Sequence, residues 1–234
     1  MVKRRKIWIG IIITFIGLLA WNVFYTPALF MGEAFGGKIL DEITGKPVPG
    51  VVIAAVWPLE RRVGAFHPST ITTVHIELME VVSDENGNFK FPAWGPRLNA
   101  TLDAMQTGNP RLLIFKPGYF FKHVGNLDAG KFMAPRRWKI VHRSDWDGKI
   151  IHLKPNEYEH DPSQYRFSGF DVFGNFLKDV IWLRSSEAGA QCYAKQVPKM
   201  IAEYEKQRLR FRSFGIDTKI YDPIDQAVAQ DKNC

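Results

Sequence analysis

The sequence predicts a mainly β protein, an antiparallel β-sandwich of about seven short strands between Phe35 and Lys154. Three observations carry this prediction. Apolar or alternating runs are separated by turn residues, and strands do not alternate with helices. The composition, 46% hydrophobic and 13% aromatic, excludes a mostly disordered chain. The 234 residues are enough to bury one good core.

The first element is the stretch from Gly36 to Trp57, which predicts a strand, a tight turn and a second strand. Thr44-Gly45-Lys46-Pro47 and Pro49-Gly50 supply the turn residues. Val51 to Val56 is β-branched or small throughout, which suits a strand covered on both faces. We interpret the stretch as the first hairpin of the sandwich.

The next elements follow from alternation and from turn signals. Alternation from Ile71 predicts a strand, and its apolar phase slips after Leu78, which indicates a bulge or a strand break there. Asn86-Gly87 is a hairpin turn signal, with Phe89 and Phe91 pointing inward behind it. Further strands are predicted at 111–115, 120–124 and 149–154, and loops at 58–69, 93–110 and 125–148.

A helical extension is predicted after the sandwich, over residues 156–234. Apolar residues recur at helical spacing in 173–181 and again in 197–211. Pro198 suits the first turn of the second helix and Gly215 suits its end.

The N-terminal segment predicts a membrane anchor. Residues 7–25 contain no charged side chain and can reach about 28 Å as a helix, roughly the hydrocarbon core of a bilayer. A cleaved signal peptide is the alternative. The expected divisions are a basic tail and anchor at 1–25, a linker at 26–34, the sandwich at 35–155 and the extension. Basic residues before the anchor and aromatic residues at its far end indicate the topology: Lys3, Arg4, Arg5, Lys6, Trp21 and Tyr25.

This topology places the protein in the cytoplasmic (inner) membrane of a bacterium as a single-pass protein. Its N-terminus is then cytoplasmic and its main domain periplasmic or extracellular. In such a compartment Cys192 and Cys234 can form a disulfide, and two unpaired thiols are the alternative.

The charge distribution does not favour a nucleic-acid partner. The formal net charge is +7, and four of the basic residues form the N-terminal cluster. Elsewhere the basic and acidic residues are nearly balanced.

Three segments together resemble the carboxypeptidase regulatory-like domain, which is a transthyretin-like (Ig-like) seven-stranded sandwich. They are the opening stretch from Gly36 to Trp57, the turn and strand from Ser83 to Phe91, and Phe115-Lys116-Pro117-Gly118-Tyr119. The resemblance covers about half of the chain and implies a fold, since such domains serve as accessory modules in many settings.

Two related enzyme families are not matched at their functional residues. Intradiol dioxygenases, which the first hairpin and Trp57 also resemble, hold iron with tyrosines and histidines; this chain has Phe66 where a tyrosine is expected and no His-x-His pair. The transthyretin-like hydroxyisourate hydrolases end in a Tyr-Arg-Gly-Ser-like tail, unlike Asp231 to Cys234. With no Gly-x-Ser-x-Gly elbow and no Cys/His cluster, we expect no catalytic residues, no metal site, no cofactor and no enzymatic activity.

The sequence therefore predicts a non-enzymatic, membrane-anchored binding or structural accessory subunit. It would act through protein–protein contacts with another envelope protein or a membrane complex. The alternatives are a diverged hydrolase or metal-dependent oxygenase on the same scaffold, and a module that binds a carbohydrate or cell-envelope polymer. Trp and Arg anchor interfaces most often, so the candidate binding surface comprises Trp94, Arg97, Arg136, Arg137, Trp138, Arg208 and Arg212.

Overall fold

The computed structural model describes residues 14, 17, 28–62, 71–99, 104–107, 109–126, 139–157, 174, 177 and 194–215. This part of the chain is mainly β, with eleven strands in three sheets and one complete α-helix. The strands are β1 (Ala28–Gly32), β2 (Phe35–Asp41), β3 (Val52–Arg62), β4 (Ile71–Val82), β5 (Asn88–Phe91), β6 (Trp94–Asn99), β7 (Ala104–Thr107), β8 (Arg111–Phe115), β9 (Lys122–Val124), β10 (Lys139–His142) and β11 (Lys149–Leu153). The helix α1 is Pro198–Ser213, preceded by a 3-10 turn at Ala194–Gln196.

Two three-stranded sheets repeat one strand order. In the first, β1 pairs with β10 in parallel and with β6 antiparallel; in the second, β2 pairs with β11 in parallel and with β5 antiparallel. Only Glu33 and Ala34 separate β1 from β2. The two sheets are therefore built by the same three stretches of chain, each carrying a strand of both.

Strand β3 lies at the centre of the third sheet, whose order is β4-β3-β8-β9 with β7 also paired to β3. Every residue from Val51 to Leu59 is buried. Ile53, Ala55 and Trp57 belong to the shared hydrophobic core, while the side chains between them point to the other face, where α1 contacts β3. The prediction of a strand covered on both faces is confirmed.

The three sheets share one core that is rich in aromatic rings. Phe35 and Phe91 stack with their ring centroids 4.9 Å apart, and Trp57 meets Trp94 edge-on at 5.6 Å. Residues of β2, β3, β5, β6, β8 and β11 all belong to this core. Aromatic pairs in these arrangements contribute about 0.5–1.5 kcal/mol beyond the burial of their area.

Helix α1 is attached to the third sheet at its N-terminus. The first N–H groups of a helix have no partner within the helix, and the residue before α1, Val197, provides no side-chain cap. The Glu80 carboxylate of β4 accepts hydrogen bonds from the backbone N–H groups of Lys199 (2.9 Å) and Met200 (3.0 Å) instead. A strand side chain thus caps the helix and fixes where α1 begins on the sheet.

The turn after β2 is organised by the Asp41 carboxylate. It accepts hydrogen bonds from the backbone N–H groups of Ile43 (2.9 Å) and Thr44 (2.7 Å) and from the Thr44 and Tyr119 hydroxyls, both at 3.0 Å. The Thr44 backbone N–H contributes most to holding the pKa of Asp41 below its ordinary value of 3.8. Burial, followed by the bond to Asp41, raises the pKa of Tyr119.

At two places where the sequence predicts a hairpin, the chain crosses from one sheet to another instead. Strands β2 and β3 belong to different sheets, as do β4 and β5 on either side of Asn86-Gly87. Val48 and Val51 are buried between β2 and β3, so the connection passes through the core. The turn residues bend the chain as predicted, and Gly87 has a φ of +74°, but the strands that they join pair elsewhere.

Segments predicted as a linker or as loops also contain strands. The predicted linker at 26–34 contains β1, and the predicted loops contain β6, β7 and β10; β3 extends to Arg62. About seven strands were predicted, fewer than are described, because these segments carry Gly, Pro and charged residues and become strands only through pairing with distant partners. The predicted bulge is displaced: Trp57 pairs with Glu77 and Pro58 with His75, so Ile76 is the extra residue.

The predicted membrane anchor and the location derived from it are corrected. Among the described residues, no helix is long and apolar enough to cross a membrane. Residues 7–25 lie almost wholly outside the described residues, as do the topology residues Lys3, Arg4, Arg5, Lys6, Trp21 and Tyr25. The cysteines of the predicted disulfide, Cys192 and Cys234, lie outside them too, and nothing in the structure supports that bond.

The predicted C-terminal helices have different outcomes. Helix α1 begins at Pro198 and ends just before Gly215, where the predicted second helix was placed. The helix predicted at 173–181 lies almost entirely outside the described residues.

Removal of the Glu80 carboxylate tests the attachment of α1. We expect Glu80→Ala to lower the free energy of unfolding by about 0.5–2 kcal/mol, the usual effect of losing a helix N-cap. Chemical denaturation measures the loss, and hydrogen exchange should quicken at the amides of Lys199 and Met200. Glu157→Ala, at an exposed residue, is the matched control and should change stability by less than about 0.5 kcal/mol. Equal losses in the two variants would refute the capping role.

The Asp41 turn predicts a pH dependence. A carboxyl whose pKa is lowered by folding stabilises the native state above its unfolded pKa, and this stabilisation disappears as pH falls through the folded pKa. We therefore expect Asp41→Asn to be less stable than wild type at neutral pH and to lose less stability on acidification below the ordinary value of 3.8. Urea denaturation at several pH values gives both slopes, with Glu42→Gln at an exposed neighbour as control. Parallel curves for Asp41→Asn and wild type would contradict this role.

Candidate functional site

An open groove of about 600 Å³ lies where the chain crosses from β4 to β5. We call it the edge groove. It is lined by Ala34, Phe35, Gly36, Val81, Val82, Asp84, Asn88, Phe89, Lys90, Asp147 and Gly148. Strands β4 and β5 each lie at the end of their sheet's order among the described residues.

The lining of the edge groove combines buried and exposed apolar side chains. Phe35 and Phe89 are 4% exposed and belong to the core, whereas Val82 is 38% exposed. Gly36 brings the strands close together, because a Cβ there would lie 2.5 Å from the Phe89 carbonyl oxygen. Within the described part of the chain, the groove therefore offers an accessible surface that is partly apolar.

Strand β4 presents main-chain groups at its outer edge. The Ser83 N–H donates to the Val51 carbonyl at 3.0 Å, so Ser83 faces β3 in the hydrogen-bond ladder. Facing and outward residues alternate along an antiparallel edge. The N–H and C=O of Val82 therefore point away from β3, and those of Glu80 and Leu78 follow the same alternation.

The rim of the edge groove carries charges of both signs. The Asp84 carboxylate accepts hydrogen bonds from the backbone N–H groups of Asn88 (2.7 Å) and Asn86 (2.9 Å), and the Asn88 bond contributes most to lowering the pKa of Asp84. The Asp147 carboxylate accepts one from the Gly36 N–H at 2.9 Å. Lys90 is exposed on β5. Both aspartates thus fix the backbone of the rim, which gives the groove a rigid border.

Trp94, a predicted contact residue, is instead a core residue. It is 7% exposed, and its ring stacks on that of His142 with centroids 5.8 Å apart. Gly32 pairs with Trp94 across β1 and β6, and a Cβ on Gly32 would lie only 2.1 Å from the indole Nε1. The glycine makes room for the indole ring, so Trp94 is not available to a partner.

Arg97 is exposed, and its guanidinium forms an ion pair with Glu77. The Glu77 side chain is only 7% exposed, although that of Arg97 is 56% exposed. Glu77 lies opposite Trp57 and therefore points to the core face of β4. Regular alternation with Met79 and Val81 places Glu77 on this face, and the bulge at Ile76 lies just before it in the chain.

The remaining predicted contact residues are not brought together. Arg208 is 6% exposed and pairs with Glu205 at 2.9 Å on the same helix. Arg212 is exposed near the end of α1. Arg136, Arg137 and Trp138 lie outside the described residues. The edge groove was not predicted from the sequence. Its exposed apolar residue, Val82, lies just before the Asn86-Gly87 turn, but the sequence alone does not show that Val82 is exposed.

The described residues contain no group of three or more His, Cys, Asp or Glu side chains that could hold a metal ion.

Comparisons with known proteins give weak likenesses. No protein-family model and no curated protein matches the chain. Among solved structures, 3-chlorocatechol 1,2-dioxygenase from Rhodococcus opacus 1CP has a TM-score of 0.29 at 14% identity, covering 56% of this chain and 61% of that one. Catechol 1,2-dioxygenase from Pseudomonas arvilla C-1 has a TM-score of 0.28 at 11% identity, covering 56% and 53%. Hydroxyquinol 1,2-dioxygenase from Pseudomonas putida DLL-E4 has a TM-score of 0.22 at 16% identity, covering 56% and 54%.

These comparisons correct the prediction that the chain is not an enzyme. The similar structures include several dioxygenases, so enzymatic activity is not excluded. The chain spans between 53% and 61% of the length of the first two. At TM-scores below 0.3, these similarities do not indicate a reaction, a cofactor or a substrate for this chain.

The pair of Arg97 with buried Glu77 predicts an asymmetric mutational effect. We expect Arg97→Leu to destabilise the fold by about 1–3 kcal/mol, because it leaves a buried carboxylate without its cation. Glu77→Leu/Arg97→Leu should recover most of this loss. Arg143→Leu, which breaks the more exposed pair with Glu33, should cost at most about 1 kcal/mol. Chemical denaturation of the three variants measures the loss in the free energy of unfolding. A double variant no more stable than Arg97→Leu would contradict the expectation.

Proposed function

We propose that this chain is a protein-binding module on a transthyretin-like sandwich of the carboxypeptidase regulatory-like kind. The segments that carry this resemblance contact one another around the β2–β3 connection. The Lys116 ammonium donates to the Pro49 carbonyl at 2.5 Å, and the Tyr119 hydroxyl donates to Asp41. Gly118 between them has a φ of +90°, which favours glycine. Residues of the resembling motifs thus hold the same connection in place.

The proposed binding mode is strand addition at the edge groove. In strand addition, an extended segment of a partner protein pairs with the edge of a sheet; main-chain hydrogen bonds give affinity, and pockets for alternate side chains give specificity. The observation that carries the proposal is the outward-facing backbone of Val82 beside an open, partly apolar groove. An edge strand with accessible N–H and C=O groups is a ready template for another chain.

The groove also suggests the composition of the bound segment. Successive side chains of an extended segment point to opposite sides, so every second one would face Phe35 and Phe89 and should be apolar. The others would face the rim, where Asp84, Asp147 and Lys90 favour polar or charged side chains. We expect a segment of alternating apolar and polar residues with little net charge.

A proline substitution at position 82 tests this mode. The Val82 N–H points away from β3, so Val82→Pro removes an outward donor and leaves the ladder bonds to β3 intact. We would select binders of the full chain from a displayed library of short unstructured peptides and measure their affinity for wild type, Val82→Pro and Val82→Thr. Loss of one hydrogen bond and the added ring should weaken binding by about tenfold.

Val82→Thr is the matched control, because threonine is β-branched like valine and keeps the N–H. It should bind within about twofold of wild type, and both variants should unfold at nearly the wild-type temperature. If the selected peptides bind Val82→Pro as tightly as Val82→Thr, strand addition at β4 is wrong. Selection that yields no peptide binder would reject the proposed binding function itself.

A further inference from the structure

The edge groove lies between two arms of chain that begin as a hairpin and then separate. At the tip, the Asp84 N–H donates to the Asn88 carbonyl at 2.9 Å, and residues 85–87 form the turn between them. A continued hairpin would next exchange hydrogen bonds between the backbones of Val82 and Lys90, two residues further along each arm. Strand β4 instead joins the third sheet and β5 the second, and no hydrogen bond joins Val82 to Lys90 in the described part of the chain.

The backbone of Val82 faces the gap between these arms. The Ser83 N–H is bonded to β3, whereas the Asp84 N–H points the other way and is bonded to Asn88 of β5. The direction of the backbone groups alternates along a strand, so Val82 faces the same side as Asp84. Its N–H and C=O therefore point toward β5 across the edge groove.

The backbone of Lys90 faces the same gap from the other arm. The Gly87 carbonyl accepts a hydrogen bond from the Ile39 N–H of β2 at 2.8 Å, while the Asn88 carbonyl accepts its bond from Asp84 on the opposite side. Alternation then directs the N–H and C=O of Lys90 to the side that Asn88 faces. The two arms thus line the edge groove with outward-facing backbone groups.

The rest of the β5 edge is closed to a partner strand. The Asp84 carboxylate already accepts a hydrogen bond from the Asn88 N–H at 2.7 Å. Pro92, which follows β5, has no N–H to donate. Among the described residues of β5, Lys90 is therefore the one whose backbone is left for a partner on this side.

We infer that a partner segment enters the edge groove as a middle strand, hydrogen-bonded to Val82 of β4 on one side and to Lys90 of β5 on the other. This inference rests on the proposed function and adds a second edge to it. An extended segment carries N–H and C=O groups along both of its edges, so it can pair with two neighbours at once. The inserted segment would join the second and third sheets into one, in the order β11-β2-β5-segment-β4-β3-β8-β9.

Insertion restricts the partner more than pairing with a single edge does. A segment paired with β4 alone uses every second N–H and tolerates proline at the positions between. An inserted segment bonds alternately to β4 and to β5, so neighbouring N–H groups are both needed. We therefore expect a short extended segment without proline, whose alternate apolar side chains face Phe35 and Phe89.

Lys90→Pro tests the second edge. It removes the N–H that faces the groove and leaves the ladder bonds to β2, which run through Phe89 and Phe91, intact. For peptides selected on the full chain, we expect about tenfold weaker binding, the effect of one lost hydrogen bond. Lys90→Thr is the matched control, because it removes the charge but keeps the N–H, and it should bind within about twofold of wild type. Thermal unfolding of both variants checks that they are folded.

N-methylation of a selected peptide tests the inference without changing the protein. Each N–H of the peptide is replaced in turn by N–CH₃, and the affinity for the full wild-type chain is measured. Insertion predicts that at least two consecutive positions each weaken binding by about tenfold or more, because neighbouring N–H groups bond to opposite arms. Pairing with β4 alone predicts losses at every second position.

Three results would overturn the inference. The first is equal affinity of Lys90→Pro and Lys90→Thr together with weaker binding by Val82→Pro, which would leave strand addition at β4 as the binding mode. The second is a strictly alternating pattern of losses in the methylated peptides. The third is a full chain that is dimeric and that the peptides dissociate, which would assign the gap to a second copy. Unchanged binding by both proline variants, or a selection without binders, would reject the proposed function as well.

Discussion

The burial of β3 on both faces is the constraint on which the rest of the described structure depends. A strand without a solvent-exposed face needs a second layer on each side, because each face must exclude water to gain from burial. On one side the layer is the core shared with the two small sheets, and on the other it includes α1. Buried apolar surface contributes roughly 25 cal/mol per Å², so the buried side chains of β3 stabilise the fold through both layers.

The features around β3 follow from this arrangement. Glu80 and Glu77 lie on the neighbouring strand β4 and point to opposite faces: Glu80 caps the helix, and Glu77 enters the core face with Arg97 as its partner. The crossing from β4 to β5 is needed because the two layers must be connected, and this crossing leaves the edge groove open. The groove therefore results from the way in which the chain connects the two layers, and residues of these strands and turns form its lining.

The sequence predicted what depends on short-range patterns. The uninterrupted apolar run of β3, the inward phenylalanines of β5 and the end of α1 before Gly215 are all set by neighbours within a few residues. Strand pairing is not set by such near neighbours. Asn86-Gly87 bends the chain equally well in a hairpin and in a crossing, and only the distant strands decide which forms. Tryptophan is a residue type that often anchors interfaces. Trp94 nevertheless lies in the core, because Gly32, more than sixty residues earlier, makes room for its ring.

The candidate site was hidden for the same reason. Its lining comes from β2, β4, β5 and the turn before β11, and none of these segments carries a recognisable motif for binding. The basic residues of α1 were visible in the sequence, but which of them are exposed depends on the sheet beneath. The helix buries Arg208 and exposes Lys199, although both belong to the same charged run.

Amide hydrogen exchange of the full chain, with and without a selected peptide, tests strand addition most directly. Pairing at the outer edge of β4 should slow exchange at Leu78, Glu80 and Val82, whose N–H groups point outward, and should leave the amides of Val81 and Met79, already bonded to β3, unchanged. Slowed exchange confined to β9, β11 or α1 would contradict binding at the edge groove.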